Sequence, residues 1–214
     1  MNYPVTLINA NDAARADWSN IDVLIMPSGS YRFLTEKTAV DDFKDWISKG
    51  GRVVALENAV TQLSKMDWVN IKAKKADDST GKDKKVDYTA LKKFEDRDRD
   101  EIPATTPGSI FKVELDNTHP LAFGYPEYYY TLKQDDNIYE FMKEGWNVGV
   151  IKKENQVSGF VGSKLKNKLK DGLLFGVQQL GRGTITYMMD NVLFRNFWEN
   201  GKLMFCNAVF LVGQ

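Results

Sequence analysis

Two uninterrupted apolar runs, Asp22-Val-Leu-Ile-Met26 and Arg52-Val-Val-Ala-Leu56, flank a segment in which Val40, Phe43, Trp46 and Ile47 recur at helical spacing. The runs predict strands buried on both faces, and the spacing between them predicts an amphipathic helix. Thr35 is its expected N-cap and Gly50-Gly51 its stop. Strand, helix and strand fit between Asp22 and Glu57, the span of a right-handed βαβ crossover. Pro27-Ser28-Gly29-Ser30-Tyr31 then reads as a loop at the C-terminal edge of the first strand. Pro4 to Asn9 offers an earlier apolar run, but a doubly wound domain of this type would begin one strand sooner still. That first strand is expected upstream of this sequence.

Beyond Leu56 the pattern changes twice. From Lys72 to Glu101 charged residues dominate and large apolar side chains are few, so residues 72–107, closed by Pro103 to Pro107, read as a charged insertion, a solvated helical arm rather than a core element. Asp96-Arg97-Asp98-Arg99-Asp100-Glu101 lacks the glycine and ligand spacing of a calcium loop. Ser109 to Leu115 then alternates like a half-exposed strand, and further β-type runs follow at Tyr128 to Leu132, Trp146 to Ile151 and Gly159 to Val161. Near the C-terminus two β-type runs flank Gly181-Arg182-Gly183, which reads as a hairpin turn because it lacks phosphate-loop spacing. An Arg-aromatic stretch and an apolar helix containing Asn207-Ala208 complete the chain.

At 214 residues with 43% apolar side chains, the sequence is sized for one domain, 1–214. Equal numbers of acidic and basic residues give no electrostatic reason to expect nucleic acid. The longest apolar stretch, Leu203 to Val212, is about half a membrane span. No signal peptide is visible at the N-terminus.

The single histidine, His119, invites a catalytic reading because imidazole titrates near neutrality. It precedes Pro120 within Asn117-Thr-His-Pro-Leu-Ala-Phe-Gly124, the setting of a structured turn. The single cysteine, Cys206, lies in Leu203-Met-Phe-Cys-Asn-Ala-Val-Phe210 and is expected to pack in the core. Glu57, Asn58, Ser28, Ser30 and Tyr31 should meet at the C-terminal edge of the sheet, where open α/β folds bind ligands. Glu57 with Ser28 or Ser30 could serve a hydrolytic pocket there, and Asn58 and Tyr31 are binding candidates. Tyr128, Tyr129 and Tyr130 offer a carbohydrate- or peptide-binding alternative, although three successive tyrosines cannot face one side of a strand. The spacing supports no metal site and no cofactor within this chain.

The C-terminal order of hairpin, Phe194-Arg195 loop and Asn207-Ala208 helix resembles the class I glutamine amidotransferase-like fold. With Asp22-Val-Leu-Ile-Met-Pro-Ser-Gly-Ser-Tyr31, Gly50-Gly-Arg-Val-Val-Ala-Leu-Glu-Asn58 and the stretch from Gly108 to Tyr125, the chain resembles the amidotransferase-like domain found C-terminal to the catalytic domain of bacterial zinc carboxypeptidases. The resemblance implies a three-layer, flavodoxin-like, mostly parallel sheet with helices on both faces and a C-terminal hairpin plus helix. It also implies a secreted or periplasmic parent whose zinc lies in an upstream peptidase domain, with this domain as its non-catalytic accessory. In catalytic members of the fold a cysteine in a glycine-flanked elbow follows the central strand. Here Glu57-Asn58-Ala59 follows Leu56, so the sequence offers neither nucleophile nor glycine elbow, and no downstream His-x-Glu pair.

Overall fold

The computed structural model describes residues 4–74, 91, 93–153 and 155–214. It opens with the expected unit: β1 (Val23–Met26), α1 (Lys37–Ser48) and β2 (Arg52–Leu56), with β1 and β2 paired in parallel. Helix α1 buries Ala39, Phe43, Trp46 and Ile47, a stripe of three-to-four spacing. Phe43 and Trp46 join Trp18 and Phe33 in an aromatic cluster with ring centroids 5.1 to 6.4 Å apart. Gly51 is required here, because a Cβ would run into the Trp46 ring. Thr35 does not cap the helix. It ends a preceding 3-10 turn, with its hydroxyl donating to the Arg32 carbonyl at 2.7 Å, and Glu36 stands at the N-cap without a side-chain bond.

The remaining elements are α2 (Asn58–Leu63), α3 (Arg97–Glu101), β3 (Gly108–Leu115), β4 (Tyr128–Lys133), β5 (Trp146–Ile151), β6 (Gln156–Phe160), α4 (Ser163–Leu169), β7 (Gly172–Leu180), β8 (Gly183–Met188) and α5 (Glu199–Phe210). The strands form one sheet in the order β1-β2-β8-β7-β5-β3-β4, with β6 paired to β3. Among the described residues only β1–β2 and β2–β8 are parallel. The other pairs are antiparallel, so the sheet is mixed and not the mostly parallel one that the sequence resemblance implies. For one of these pairs the reason lies in the connection: a parallel neighbour needs a crossover of a dozen or more residues, whereas β7 and β8 are joined by the two-residue turn Gly181-Arg182. Strand β1 is also an edge strand, with Ile25 40% exposed, rather than a strand buried on both faces. Pro4 to Asn9 is exposed and forms no strand. Residues 75–90 and 92 of the charged insertion lie outside the described residues; its described end carries the short, exposed α3.

The sheet curls. Four strand spacings of about 4.8 Å would hold β4 roughly 19 Å from β8 in a flat sheet, yet Asp190, just past β8, bonds two side chains of β4. Its Oδ1 accepts from Lys133 Nζ at 2.7 Å and its Oδ2 from Thr131 Oγ1 at 2.7 Å. Register shifts around Gly149, where β5 meets β7, are the bulges that increase local twist. Gly149 lets the strands bend over Phe175, whose ring a Cβ would meet at 2.5 Å. Inside the curl the Tyr129 ring stands edge-on to Phe175 at 5.3 Å, and the Trp198 indole N–H donates to the Tyr129 hydroxyl.

At the C-terminus, Asn207 on α5 is 3% exposed and donates its amide N–H groups to the carbonyls of Leu121 and Phe123. It thereby fastens the His119 turn to the last helix.

The clamp between β4 and β8 generates a test. Lys133→Met leaves Asp190 buried without its cation and should lower unfolding free energy by about 3–5 kcal/mol in urea titrations. The double variant Lys133→Met/Asp190→Leu should recover most of that loss. If the double variant is no more stable than the single, the loss does not come from the unpaired charge on Asp190.

Candidate functional site

Strand β2 leaves the sheet at Glu57 through a sharp backbone turn, φ 49° and ψ −117°, directly into α2. Positive φ is uncommon outside glycine, costs about 1–3 kcal/mol and persists only where the surroundings impose it. Here they do. The Glu57 N–H donates to the Met188 carbonyl of β8 at 2.8 Å, and its carbonyl accepts from Val60 at 3.0 Å. Ala59 and Val60 are fully buried behind it. The sequence offers no glycine elbow, and none flanks this position; a strand-to-helix elbow forms here all the same, and it carries a carboxylate.

Glu57 is half-buried, and among the described residues its carboxylate has no hydrogen-bond partner. Burial raises its pKa first, and Asp135 and Asp190 raise it further, against a smaller pull from Lys133. Lys133 is fully enclosed, with Nζ 2.5 Å from Asp135 and 2.7 Å from Asp190. Burial pushes its pKa down, but the two carboxylates outweigh that and hold the ammonium charged. Burial lifts the Asp190 carboxyl against Lys133 and Thr131. One lysine thus faces three carboxylates, and Glu57 is the one left unpaired. Alongside, Thr61 of α2 shares a 2.9 Å hydrogen bond with the buried Tyr139 hydroxyl.

The Ser28–Tyr31 loop is tied to α2 beside the elbow. Asn58 Nδ2 and Gln62 Nε2 both donate to the Gly29 carbonyl, at 2.9 and 2.6 Å, and Gln62 Oε1 accepts from the Tyr31 N–H. Asn58 is thus engaged in holding the loop. The Tyr31 hydroxyl donates to the Pro27 carbonyl, and burial pushes its pKa up to about 12. Ser28 and Ser30 are exposed, and among the described residues neither hydroxyl bonds Glu57.

Other candidates fall elsewhere. His119 follows β3, which runs opposite to β2, so it lies at the far edge of the sheet, a strand length from Glu57. Its Nδ1 accepts from the Leu121 N–H at 3.1 Å, the structured turn expected, and burial lowers its pKa against the pull of Asp116. Cys206 is exposed, contrary to its expected core position. The register that buries Gly201, Met204, Asn207 and Ala208 turns Leu203, Cys206 and Phe210 outward. Tyr129 is buried, while Tyr128 and Tyr130 face solvent with rings 5.6 Å apart at 64°, an edge-to-face pair rather than a flat platform. Two grooves, of about 740 and 470 Å³, open at the far edge, away from Glu57.

Sequence reasoning missed Lys133, Asp135, Asp190, Thr131, Thr61, Tyr139 and Gln62. Two signals were present: Lys133 shares the inward face of β4 with Tyr129 and Thr131 by two-residue alternation, and Asp190 follows directly on the apolar end of β8.

No protein-family model matches the sequence, and no curated protein is significantly similar to it. Among solved structures, the chain is similar to a ThuA-like protein from Parabacteroides merdae, with a TM-score of 0.55 and 13% identity over 91% of this chain and 71% of the other. A cytoplasmic protein from Salmonella typhimurium aligns at TM-score 0.47 and 13% identity, covering 96% of this chain and 75% of that one. ThuA-like proteins have the class I glutamine amidotransferase-like fold, and at this identity the likeness is one of fold.

Proposed function

We propose that this chain is a non-catalytic, amidotransferase-like accessory domain of a zinc carboxypeptidase-type metallopeptidase, secreted or periplasmic, which packs on the peptidase or presents substrate to it. The observation that carries the non-catalytic half is the residue at the elbow. Glutamine hydrolysis needs a thiolate there and an imidazole beside it. The elbow holds Glu57, while Cys206 and His119 stand on α5 and at the far sheet edge. The peptidase half rests on the sequence resemblance, and zinc belongs to the upstream domain in this reading. Exposed apolar side chains on and beside α5, Leu203 and Phe123 among them, support a docking role.

The test uses the purified chain with the upstream peptidase region supplied in trans. No glutamine turnover, a measurable complex and an altered kcat/KM for peptide hydrolysis are expected. Glutamine turnover overturns the non-catalytic half; absence of both complex and kinetic effect overturns the accessory half.

A second reading is favoured by one observation, the strained and unpaired carboxylate of Glu57, because such features concentrate at working sites. In it Glu57 acts as a general base in a hydrolytic pocket with Ser28 or Ser30 on the rim. Its raised pKa has a thermodynamic signature. Between the ordinary carboxyl value and the raised one, the folded state binds more protons than the unfolded state. Stability therefore falls as pH rises through that window and stays lower above it. Glu57→Gln removes the titration, so the variant's Tm should match the wild type below about pH 4, where both states of Glu57 are protonated. It should exceed the wild type increasingly toward neutral pH. A pH-independent difference, or one of opposite sign, would show that Glu57 is not held under this electrostatic load.

A further inference from the structure

His119, the single histidine of the chain, is the N-cap of the 3-10 turn Pro120–Ala122. Pro120 has no N–H to satisfy, so the first donor of the turn is that of Leu121, and His119 Nδ1 accepts it at 3.1 Å. The His119 carbonyl takes the next, from Ala122 at 2.9 Å. Leu121 and Ala122 are fully buried, so without Nδ1 the Leu121 N–H reaches no water unless the turn opens.

The turn begins a strap, residues 119–125, that lies across α5. Asn207, buried on that helix, donates its amide N–H groups to the strap's Leu121 and Phe123 carbonyls. The Tyr125 hydroxyl donates to the Asn200 carbonyl at 2.6 Å and accepts from the Met204 N–H at 2.9 Å. The cap at one end thus positions the carbonyls that Asn207 holds in the middle.

A cap built on an imidazole is conditional on charge. Neutral His119 carries its proton on Nε2 and offers a lone pair at Nδ1; the imidazolium has N–H groups at both and sets a donor against the Leu121 donor. Asp116, just past β3, favours the imidazolium, although its carboxylate already accepts the Thr118 N–H and hydroxyl. In the groove beside the ring, Arg182 of the β7–β8 hairpin opposes that charge and Gln214, with the terminal carboxylate, favours it. Trp146 of β5, 5.7 Å from the ring, is uncharged. Burial outweighs the pull of Asp116, and the His119 pKa lies below its ordinary value.

We propose that His119 is an acid-operated latch: a proton taken up at Nδ1 breaks the cap on Leu121 and frees the strap from α5, uncovering Leu121, Ala122 and the Asn207 face of the helix. The latch needs this chain alone and is independent of the accessory role.

NMR of the nitrogen-labelled chain reads both ends of the latch, because a single histidine gives one ring titration. The ring should titrate below about pH 6.5, since a proton that opens the native turn must bind it less tightly than it binds a free imidazole. Amide exchange, corrected for the intrinsic rate, should show the Leu121 opening constant rising about tenfold per pH unit as pH falls from about 6.5 to that midpoint, then levelling. The Asn207 side-chain signals should move over the same range. His119→Asn keeps an acceptor at the cap and does not titrate, so the strap should stay closed and lose that slope. A ring midpoint at or above about 6.5, a titration that leaves Leu121 and Asn207 unmoved, or the same acid-driven opening in His119→Asn overturns the proposal.

Discussion

The buried ion pair between Lys133 and Asp190 is the interaction on which the rest of the architecture turns. It joins the last strand of the sheet to the strand four places away, which a flat sheet could not do. Charges this deeply enclosed gain little over an apolar pair of the same shape, but losing one partner is severe. The pair therefore acts as a constraint on geometry more than as a source of stability. With Thr131 it fixes how far β4 curls over β8, and Tyr129, Phe175 and Trp198 pack inside the closure.

The same pair sets the character of the elbow. Lys133 is already shared between Asp135 and Asp190, so it cannot neutralise Glu57 as well. The strained turn delivers a carboxylate to a half-buried edge where two others stand, and burial first, then those two charges, raise its proton affinity. The fold's strand-to-helix corner survives here with different chemistry in it. The corner's backbone is imposed by β8 and by the buried first turn of α2, neither of which depends on the side chain at Glu57.

Much of the scaffold was legible in the sequence. The runs at Asp22–Met26 and Arg52–Leu56 gave strands because unbroken apolar stretches of that length have few other solutions, and the hairpin about Gly181-Arg182 declared itself through its turn residues. Strand direction was harder, since it is decided by connections whose length and path are tertiary facts. The elbow was invisible because its usual glycines are absent and Glu57 is forced into a conformation its own preference opposes. Cys206 was misread because α5 is apolar around most of its circumference, so periodicity could not say which face was inside. The charge cluster was missed for a different reason: Lys133, Asp135 and Asp190 come from separate segments and meet only once the sheet has curled.

The place of β8 between β2 and β7 carries a consequence for how the chain acquires its structure. Arg52 on β2 pairs with Thr184 on β8, so the opening βαβ unit leaves one strand edge open until nearly the whole sequence has been made. A contact of that sequence separation is slow to form, because the intervening chain must be ordered before the pairing rewards it. During synthesis β2 would thus present an apolar, unpaired edge for longer than most strands do, the state in which strands capture wrong partners. The late closure of the sheet makes the C-terminal hairpin the step that commits the molecule to a single fold.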